Sequence, residues 1–221
     1  MVTEPSFVVF CDSNVLVKAV TRTLILRCDS SGYVPVWSAL AEQQAGEHRS
    51  TRSMAVRDLR ERLGMELSPT GSTPERFSAT TPSDRQILAD AEAAKALFLV
   101  TEDVDDFGIS DLLATGMSAV NPDLFLSVRS TPQVYVQALD QMAARMSDPA
   151  RTTAELHSRL ARQHPRLANR YASLFDVELD QTVHHEPSVI FRGNTCLSCL
   201  KSFEEEELIE GLCPVCVSRE N

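Results

Sequence analysis

The apolar positions of this chain change period along its length. Phe7-Val8-Val9-Phe10-Cys11 is a continuous apolar run rich in β-formers, the signature of a strand buried on both faces. It stops at Asp12-Ser13-Asn14, residue types that favour turns and helix N-caps. Val15 to Arg27 reads as a helix, with Leu16, Val20 and Leu24 along one side, and Ser30-Ser31-Gly32 breaks it. Tyr33 to Trp37 predicts a short strand. Pro35 within it lacks the N–H a central strand needs, which assigns it to an edge or an irregular position. Ser38 is the expected N-cap of a long helix running to about Leu63, with Gly64 as its stop. Ser68 to Pro82 is a loop by its Pro, Gly, Ser and Thr content.

Ser83 followed by Gln86 is a capping-box pattern, ahead of a helix carrying Ile87, Leu88, Ala91 and Ala94. Leu97 to Val100 is a second buried strand. Ile109 to Thr115 is a short helix closed by Gly116, and Met117 to Val120 a last short strand. Asn121-Pro122-Asp123 caps a helix to about Val128. Strands alternating with helices in this way predict an α/β fold, a parallel sheet sandwiched by helices, over residues 1–128.

From residue 129 to 176 the pattern is helical. Thr131-Pro132 opens one helix with Tyr135, Leu139, Met142 and Met146 as a stripe, and Ser147-Asp148-Pro149 ends it. Thr152 and Glu155 form a second capping box before Leu156 and Leu160. Pro165 ends or kinks that helix, and Leu167, Tyr171, Leu174 and Phe175 suggest a third. Residues 177–192 read as a polar linker, and 193–221 as a small module of its own.

Charge divides along the same lines. The formal net charge is −10; residues 1–127 carry 18 acids and 11 bases, 128–176 carry 4 and 7, and 177–221 carry 9 and 3. A strongly acidic chain repels phosphate on average, so only the arginine-bearing middle suits it. Those arginines either guide a polyanion or are the solvated faces of packing helices. No apolar run is long enough to span a membrane, and no basic region precedes an apolar stretch at the N-terminus. A cytoplasmic protein is the expectation.

Several acids fall at one edge of the predicted sheet. Functional groups in open α/β sheets gather beyond the carboxyl ends of the strands. Asp12 follows the first strand, and Asp103 and Asp106 follow the strand ending at Val100. Glu42 and Asp84 lie in first turns of helices that can aim at the same place. Each alone could be a helix cap, a dipole partner or a turn residue. Together, carboxylates at close range need a cation among them. An oxygen-rich site suits Mg²⁺ or Mn²⁺, which lowers the pKa of bound water and steadies phosphate charge.

The order of these segments resembles that of a known family. Val9-Phe10-Cys11-Asp12-Ser13-Asn14-Val15-Leu16 resembles the opening of the PIN-domain nucleases, an apolar strand followed by Asp-Ser/Thr-Asn. Ser38-Ala39-Leu40-Ala41-Glu42 is similar to the family's second motif and Ser83 to Ala89 to its third. Leu99 to Phe107 resembles the fourth, a strand, then Thr-x-Asp, then Asp-Phe. Val120 to Leu126 is similar to the strand and helix that close the domain, so the likeness covers about residues 7–127.

The resemblance implies a metal-dependent endoribonuclease. Asp12, Glu42, Asp84 and Asp103 would carry Mg²⁺ or Mn²⁺, with Asp106 a further catalytic candidate and Asn14 and Thr101 in support. The ion would activate water against an RNA phosphodiester. Many members are toxins of toxin–antitoxin pairs and others process ribosomal RNA. An antitoxin or other protein partner and a homodimer are therefore within the expectation. The extra C-terminal segments depart from the compact toxins.

Cys196-Leu197-Ser198-Cys199 and Cys213-Pro214-Val215-Cys216 are two Cys-x₂-Cys pairs separated by 13 residues. Two such knuckles make a closed four-thiolate site for structural Zn²⁺. A redox role would need a surrounding fold that so short a segment cannot supply. Phe191, Phe203, Leu208, Ile209 and Leu212 form the expected small core, which needs the metal to fold. Glu204 to Glu207 and Glu210 make the module acidic, favouring a protein contact or a domain clamp over phosphate. His184 and His185 precede it as extra ligands or, since four cysteines already complete a site, as exposed linker residues.

Two rival functions share parts of this pattern. A HAD-like phosphatase also begins with a strand ending in Asp and uses a late acidic turn with an upstream lysine, for which Lys95 stands. That chemistry needs a second Asp where this chain has Asn14. The other rival is a non-catalytic, zinc-dependent adaptor that binds RNA or protein. The full acid set speaks for cleavage.

Overall fold

The apolar run Phe7–Cys11 forms β1, with Val9, Phe10 and Cys11 buried and Phe7 and Val8 partly so, and the rest of the sheet is assembled on either side of it. In the computed structural model, β2 (Tyr33–Val36) pairs with β1 in parallel from Phe7↔Tyr33 to Phe10↔Val36. On the other side β3 (Phe98–Val100) pairs in parallel through Val9↔Phe98, Phe10↔Leu99 and Cys11↔Val100. β4 (Ser118–Val120) continues the parallel sheet beside β3. The structure describes residues 7–28, 32–48, 53–146, 149–180 and 189–220, the side chains of Glu205 and Glu220 excepted. The chain is α/β, as the alternating pattern predicts. β2 is an edge strand, where Pro35 costs no ladder bond.

The sheet has a fifth strand inside the segment read as linker. β5 (Phe191–Arg192) runs antiparallel to β4, pairing Ala119↔Arg192 and Val120↔Phe191, and the order is β2-β1-β3-β4-β5. The backbone N–H of Asn121 donates to Ile190 O at 2.8 Å, extending this junction. Two residues are too few for any alternation to show, so the strand is visible only through its partner.

Two helices expected as continuous are interrupted. The first divides into α1 (Ser13–Val17) and α2 (Ala19–Arg27), with Lys18 in an extended conformation between them. The cause is tertiary. Buried Arg22 donates from Nη1 to Leu16 O at 2.7 Å, taking a carbonyl at the end of α1 that a continuous helix would use internally. The second divides into α3 (Ala39–Glu47), capped by Ser38, and α4 (Val56–Leu63). Residues 49–52 lie outside the described residues. Gly64 ends α4 as expected, with φ 63°.

α5 (Arg85–Ala93) starts two residues after Ser83, and the capping box is not formed. The Ser83 hydroxyl donates to Asp84 Oδ2 at 2.7 Å, and Gln86 Nε2 donates to Asp90 Oδ1 at 2.7 Å and Gly71 O at 3.0 Å. α6 (Ile109–Thr115) follows β3, and α7 (Pro122–Arg129), capped by Asn121, follows β4.

The helical segment packs on this body. α8 (Pro132–Ala143) lies against α2, and α10 (Pro165–Arg170) against α7, with α9 (Thr153–Leu160) against α8. The second capping box forms: Glu155 N–H donates to Thr152 Oγ1 at 3.2 Å and Thr152 N–H to Glu155 Oε2 at 2.8 Å. Tyr135 and Leu139 are buried, whereas Met146 is 37% exposed and falls off the expected stripe. Asp123 on α7 accepts the first N–H groups of α10, from Arg166 at 2.9 Å and Leu167 at 3.0 Å, so this acid is a structural cap. Ser147, Asp148, His184 and His185 lie outside the described residues. Among the described residues no helix is long and apolar enough to cross a membrane.

The C-terminal module is docked rather than tethered. It ends in α11 (Pro214–Glu220). Gly193 (φ 136°) lies so close to β4 that a Cβ would sit 2.2 Å from Ser118 Oγ, and Thr195 N–H donates to the same Oγ at 3.1 Å. Arg129 at the end of α7 donates to Leu197 O at 3.2 Å and Ser198 O at 3.0 Å. Arg166 grips Glu210 with both terminal nitrogens, at 2.6 and 3.0 Å. Of the expected small core, Leu212 is buried and Phe191, Phe203 and Leu208 are partly buried, but Ile209 is 61% exposed. Buried Leu197, between the first two cysteines, takes the inner position instead.

Candidate functional site

The first candidate site lies at the carboxyl ends of β1 and β3. The chain leaves β1 toward β2 on one side and returns on the other side at β3, so this pair of strand ends flanks a topological switch point. Asp12 leaves β1 as the N-cap of α1, and its N–H donates to Val100 O at 3.1 Å. Thr101 leaves β3 beside it. The Thr101 hydroxyl donates to Asp12 Oδ2 at 2.8 Å. Asn14 Nδ2 donates to Thr101 Oγ1 and to Asp103 Oδ2, each at 3.0 Å, while Asn14 Oδ1 accepts Glu102 N–H at 3.2 Å. Asp12, Asn14, Thr101 and Asp103 are therefore one hydrogen-bonded unit across two strands.

Asp12 is buried, 4% exposed. Burial pushes its carboxyl up to about 6, against the hydrogen bonds from Thr101 and Ser13 and with the charge of Asp84 adding to the rise. Asp106, in the 3₁₀ turn Val104–Asp106, is also raised, by burial first and then by Asp84, Asp103 and Asp105, with Arg192 opposing. Each of these acids senses the negative charge of Asp84. Asp84 in turn accepts from the hydroxyls of Thr81 and Ser83. Thr81 N–H donates to Asp106 O at 2.9 Å, so the Asp84 and Asp106 segments are hydrogen-bonded to each other.

Glu42 is engaged elsewhere. Its Oε2 accepts Arg60 Nε at 2.8 Å and Trp37 Nε1 at 3.1 Å, in a pair of which 18% and 14% of the side-chain surfaces remain exposed. It lines a surface hollow with Gln43, Gly46, Val56 and Arg57. Among the described residues no three carboxylates bring ligand oxygens within 4.8 Å of one another. The acidic edge is a gathered set of anions, not a closed cage.

Sequence reasoning passed over three residues that shape this edge. Arg60 neutralises Glu42 from a helix whose separate existence the pattern did not show. Thr81 links Asp84 to the Asp106 turn, donating its hydroxyl to the carboxylate three residues on and its N–H to Asp106 O. Arg192 on β5 donates from Nη1 to Asp105 O at 2.9 Å and Phe107 O at 3.0 Å; nothing in its local sequence marks it.

The second candidate site is the cysteine cluster. The Sγ atoms of Cys196, Cys199, Cys213 and Cys216 all lie within 4.8 Å of one another, a set that can hold a metal such as zinc. Cys213 N–H donates to Cys196 Sγ at 3.4 Å. Gly211 (φ 75°) permits the turn into the second knuckle; a Cβ there would meet Leu197 and Phe191 at 2.8 Å. Burial works to raise the Cys213 thiol, but hydrogen bonds from the Cys216 backbone and the neighbouring thiols hold it down to about 7. Burial and the surrounding sulfurs push Cys216 up to about 12. Four thiolates this close cannot all ionise without a cation between them.

No protein-family model, curated protein or solved structure matches this chain.

Proposed function

We propose that the chain is a metal-dependent endoribonuclease of the PIN type whose C-terminal module is held by zinc. The observation that carries this reading is the hydrogen-bonded unit of Asp12, Thr101, Asn14 and Asp103 across the ends of β1 and β3. It joins residues from two of the four motifs that resemble the family. A solvating acid has no need of burial, and Asp12 is buried.

Asp12, Asp84, Asp103 and Asp106 are the proposed holders of Mg²⁺ or Mn²⁺. A divalent ion bound there supplies charge neutralisation for the phosphate and a lowered pKa for water. The chain's own part is to fix the ligand oxygens. The Thr101 hydroxyl orients Asp12, the Asn14 amide orients Asp103, and the Thr81 and Ser83 hydroxyls orient Asp84. The raised carboxyl of Asp12 fits a site that is stable only with a positive partner.

Zinc fits the cysteine centre on geometry. A tetrahedron with Zn–S bonds of about 2.3 Å has sulfur–sulfur edges of about 3.8 Å, and Cys199 Sγ lies 3.9 Å from Cys213 Sγ. One observation favours a different reading. Arg60 already neutralises Glu42, which suits an adaptor that binds RNA or protein without cutting.

Cleavage decides between them. Purified protein with Mn²⁺ should generate new ends on structured or single-stranded RNA. Asp12→Asn should lower the rate about a hundredfold or more, as several kcal/mol of transition-state stabilisation is lost. Identical RNA ends from wild type and Asp12→Asn would make the nuclease reading wrong and leave the adaptor.

A further inference from the structure

We infer that the cysteine metal centre sets the geometry of the acidic edge, and that Arg192 is the positioning residue through which it does so. For its catalytic consequence the inference rests on the reading just proposed; its structural part stands on contacts alone.

The route is continuous. The first knuckle is bound to the second, since Leu197 N–H donates to Gly211 O at 2.8 Å and Cys213 N–H to Cys196 Sγ at 3.4 Å. Gly211 packs so tightly on Phe191 that a Cβ would approach the ring to 2.8 Å. Phe191 and Arg192 are the whole of β5. A strand of two residues has little ladder of its own to hold it, so its position depends on what lies at its ends. At one end is the Asn121–Ile190 hydrogen bond; at the other are Gly193 against Ser118, then the cysteine knuckles.

From β5, Arg192 reaches the turn that bears the acids. One nitrogen bridges the carbonyls of Asp105 and Phe107, at 2.9 and 3.0 Å, which flank Asp106. Inside the turn, Asp106 N–H donates to Asp103 O at 3.1 Å and Phe107 N–H to Val104 O at 3.3 Å. Out of it, Asp106 O accepts Thr81 N–H, and the Thr81 hydroxyl donates to Asp84. A guanidinium fixed on a strand thus braces the backbone on both sides of Asp106, and reaches Asp84 only through Asp106 and Thr81. Loss of the knuckles would free β5, and with it the brace.

Hydrogen exchange on the full chain tests the structural part. Arg192→Ala should keep about one equivalent of zinc, yet amides at Thr81, Asp106, Phe107 and Gly108 should exchange about tenfold faster or more. Stripping zinc from wild type with a chelator should accelerate the same amides, while those of β1 hold. Unchanged exchange at 104–108 in the zinc-free protein overturns the coupling. A response to zinc removal that Arg192→Ala does not reproduce overturns the role of Arg192.

Mn²⁺ titration followed by electron paramagnetic resonance separates positioning from charge. By charge alone, removing a nearby cation makes the site more negative and tightens Mn²⁺ binding. By positioning, Arg192→Ala weakens Mn²⁺ about tenfold, and Arg192→Lys restores part of the affinity. Tighter or unchanged binding in Arg192→Ala refutes the positioning role. Failure of wild type to bind Mn²⁺ at all refutes the acidic metal site instead, and the exchange data then decide the coupling by themselves.

Discussion

The cysteine centre and the acidic edge are both gatherings of anionic ligands, and they are built in opposite ways. Four sulfurs converge within 4.8 Å of one another from a segment of 21 residues. The acids come from the ends of two strands, a loop and a 3₁₀ turn, and Asp12, Asp84 and Asp103 keep hydrogen-bond partners of their own. A local site can be closed because one short turn aims two ligands at once. A site drawn from distant segments is held open by the fold and finished by its occupant. The first kind should fail all at once when a ligand is removed, and the second by degrees.

The largest effect should therefore come from Cys213→Ser. It removes one of four ligands. Bound zinc, measured on carefully prepared protein, should fall from about one equivalent to near zero. Limited proteolysis should then cut within 193–220, while the strands β1 to β4 and the helices packed on them stay resistant. Retention of the metal and of protease resistance would show that the module folds on its contacts with Arg129 and Arg166, and the contrast with the acidic edge would lose its basis.

Asp12→Asn should act in two directions. In metal-free protein the native carboxyl holds its proton up to about pH 6, above its ordinary 3.8. A carboxyl raised on folding contributes stability below its unfolded pKa, and loses that contribution as pH rises through the folded value. At pH 8 without added Mg²⁺ or Mn²⁺, wild type should thus be the less stable protein, by up to about 3 kcal/mol. Urea midpoints at pH 8 and pH 4 measure this, and the gap should close at the lower pH. Added Mn²⁺ should stabilise wild type and not Asp12→Asn. Equal midpoints at pH 8 would mean that Asp12 bears no cost of buried charge and does not wait for a cation.

The two sites also differ in how much of them is legible in the chain. The cysteine spacing states its ligands outright, because a knuckle is a local structure. Asp12, Thr101 and Asp103 are legible because buried parallel strands are continuous apolar runs, and the residue at the end of each run faces the switch point. The break at Lys18 is not legible, since its cause is a buried hydrogen bond from Arg22 to a carbonyl six residues back. β5 is hidden for the same kind of reason. Val120↔Phe191 and Ala119↔Arg192 pair residues about seventy apart, and neither side repeats long enough to show a period. Arg192 and Arg60 are not legible either, because a partner across the fold leaves no trace beside the residue itself.

Glu42 is where the contrast is finest, and where the smallest effect is expected. Its sequence context resembles a ligand motif, but its Oε2 is held by Arg60 and Trp37. If that pairing persists when the cation binds, Glu42→Gln should change Mn²⁺ affinity by no more than about threefold, far less than Asp12→Asn. Its effect should appear in stability, as a lower thermal midpoint, because Arg60 is left without its carboxylate. Arg60→Ala should lower the midpoint in the same way, and the double variant should add little, since both changes break one pair. The opposite outcome is equally informative. Were Glu42→Gln to weaken Mn²⁺ as much as Asp12→Asn does, with Arg60→Ala tightening it, then Arg60 acts as a stand-in cation for an empty site. Glu42 would leave it on metal binding, and the acidic edge would close in the way the cysteine centre is closed already.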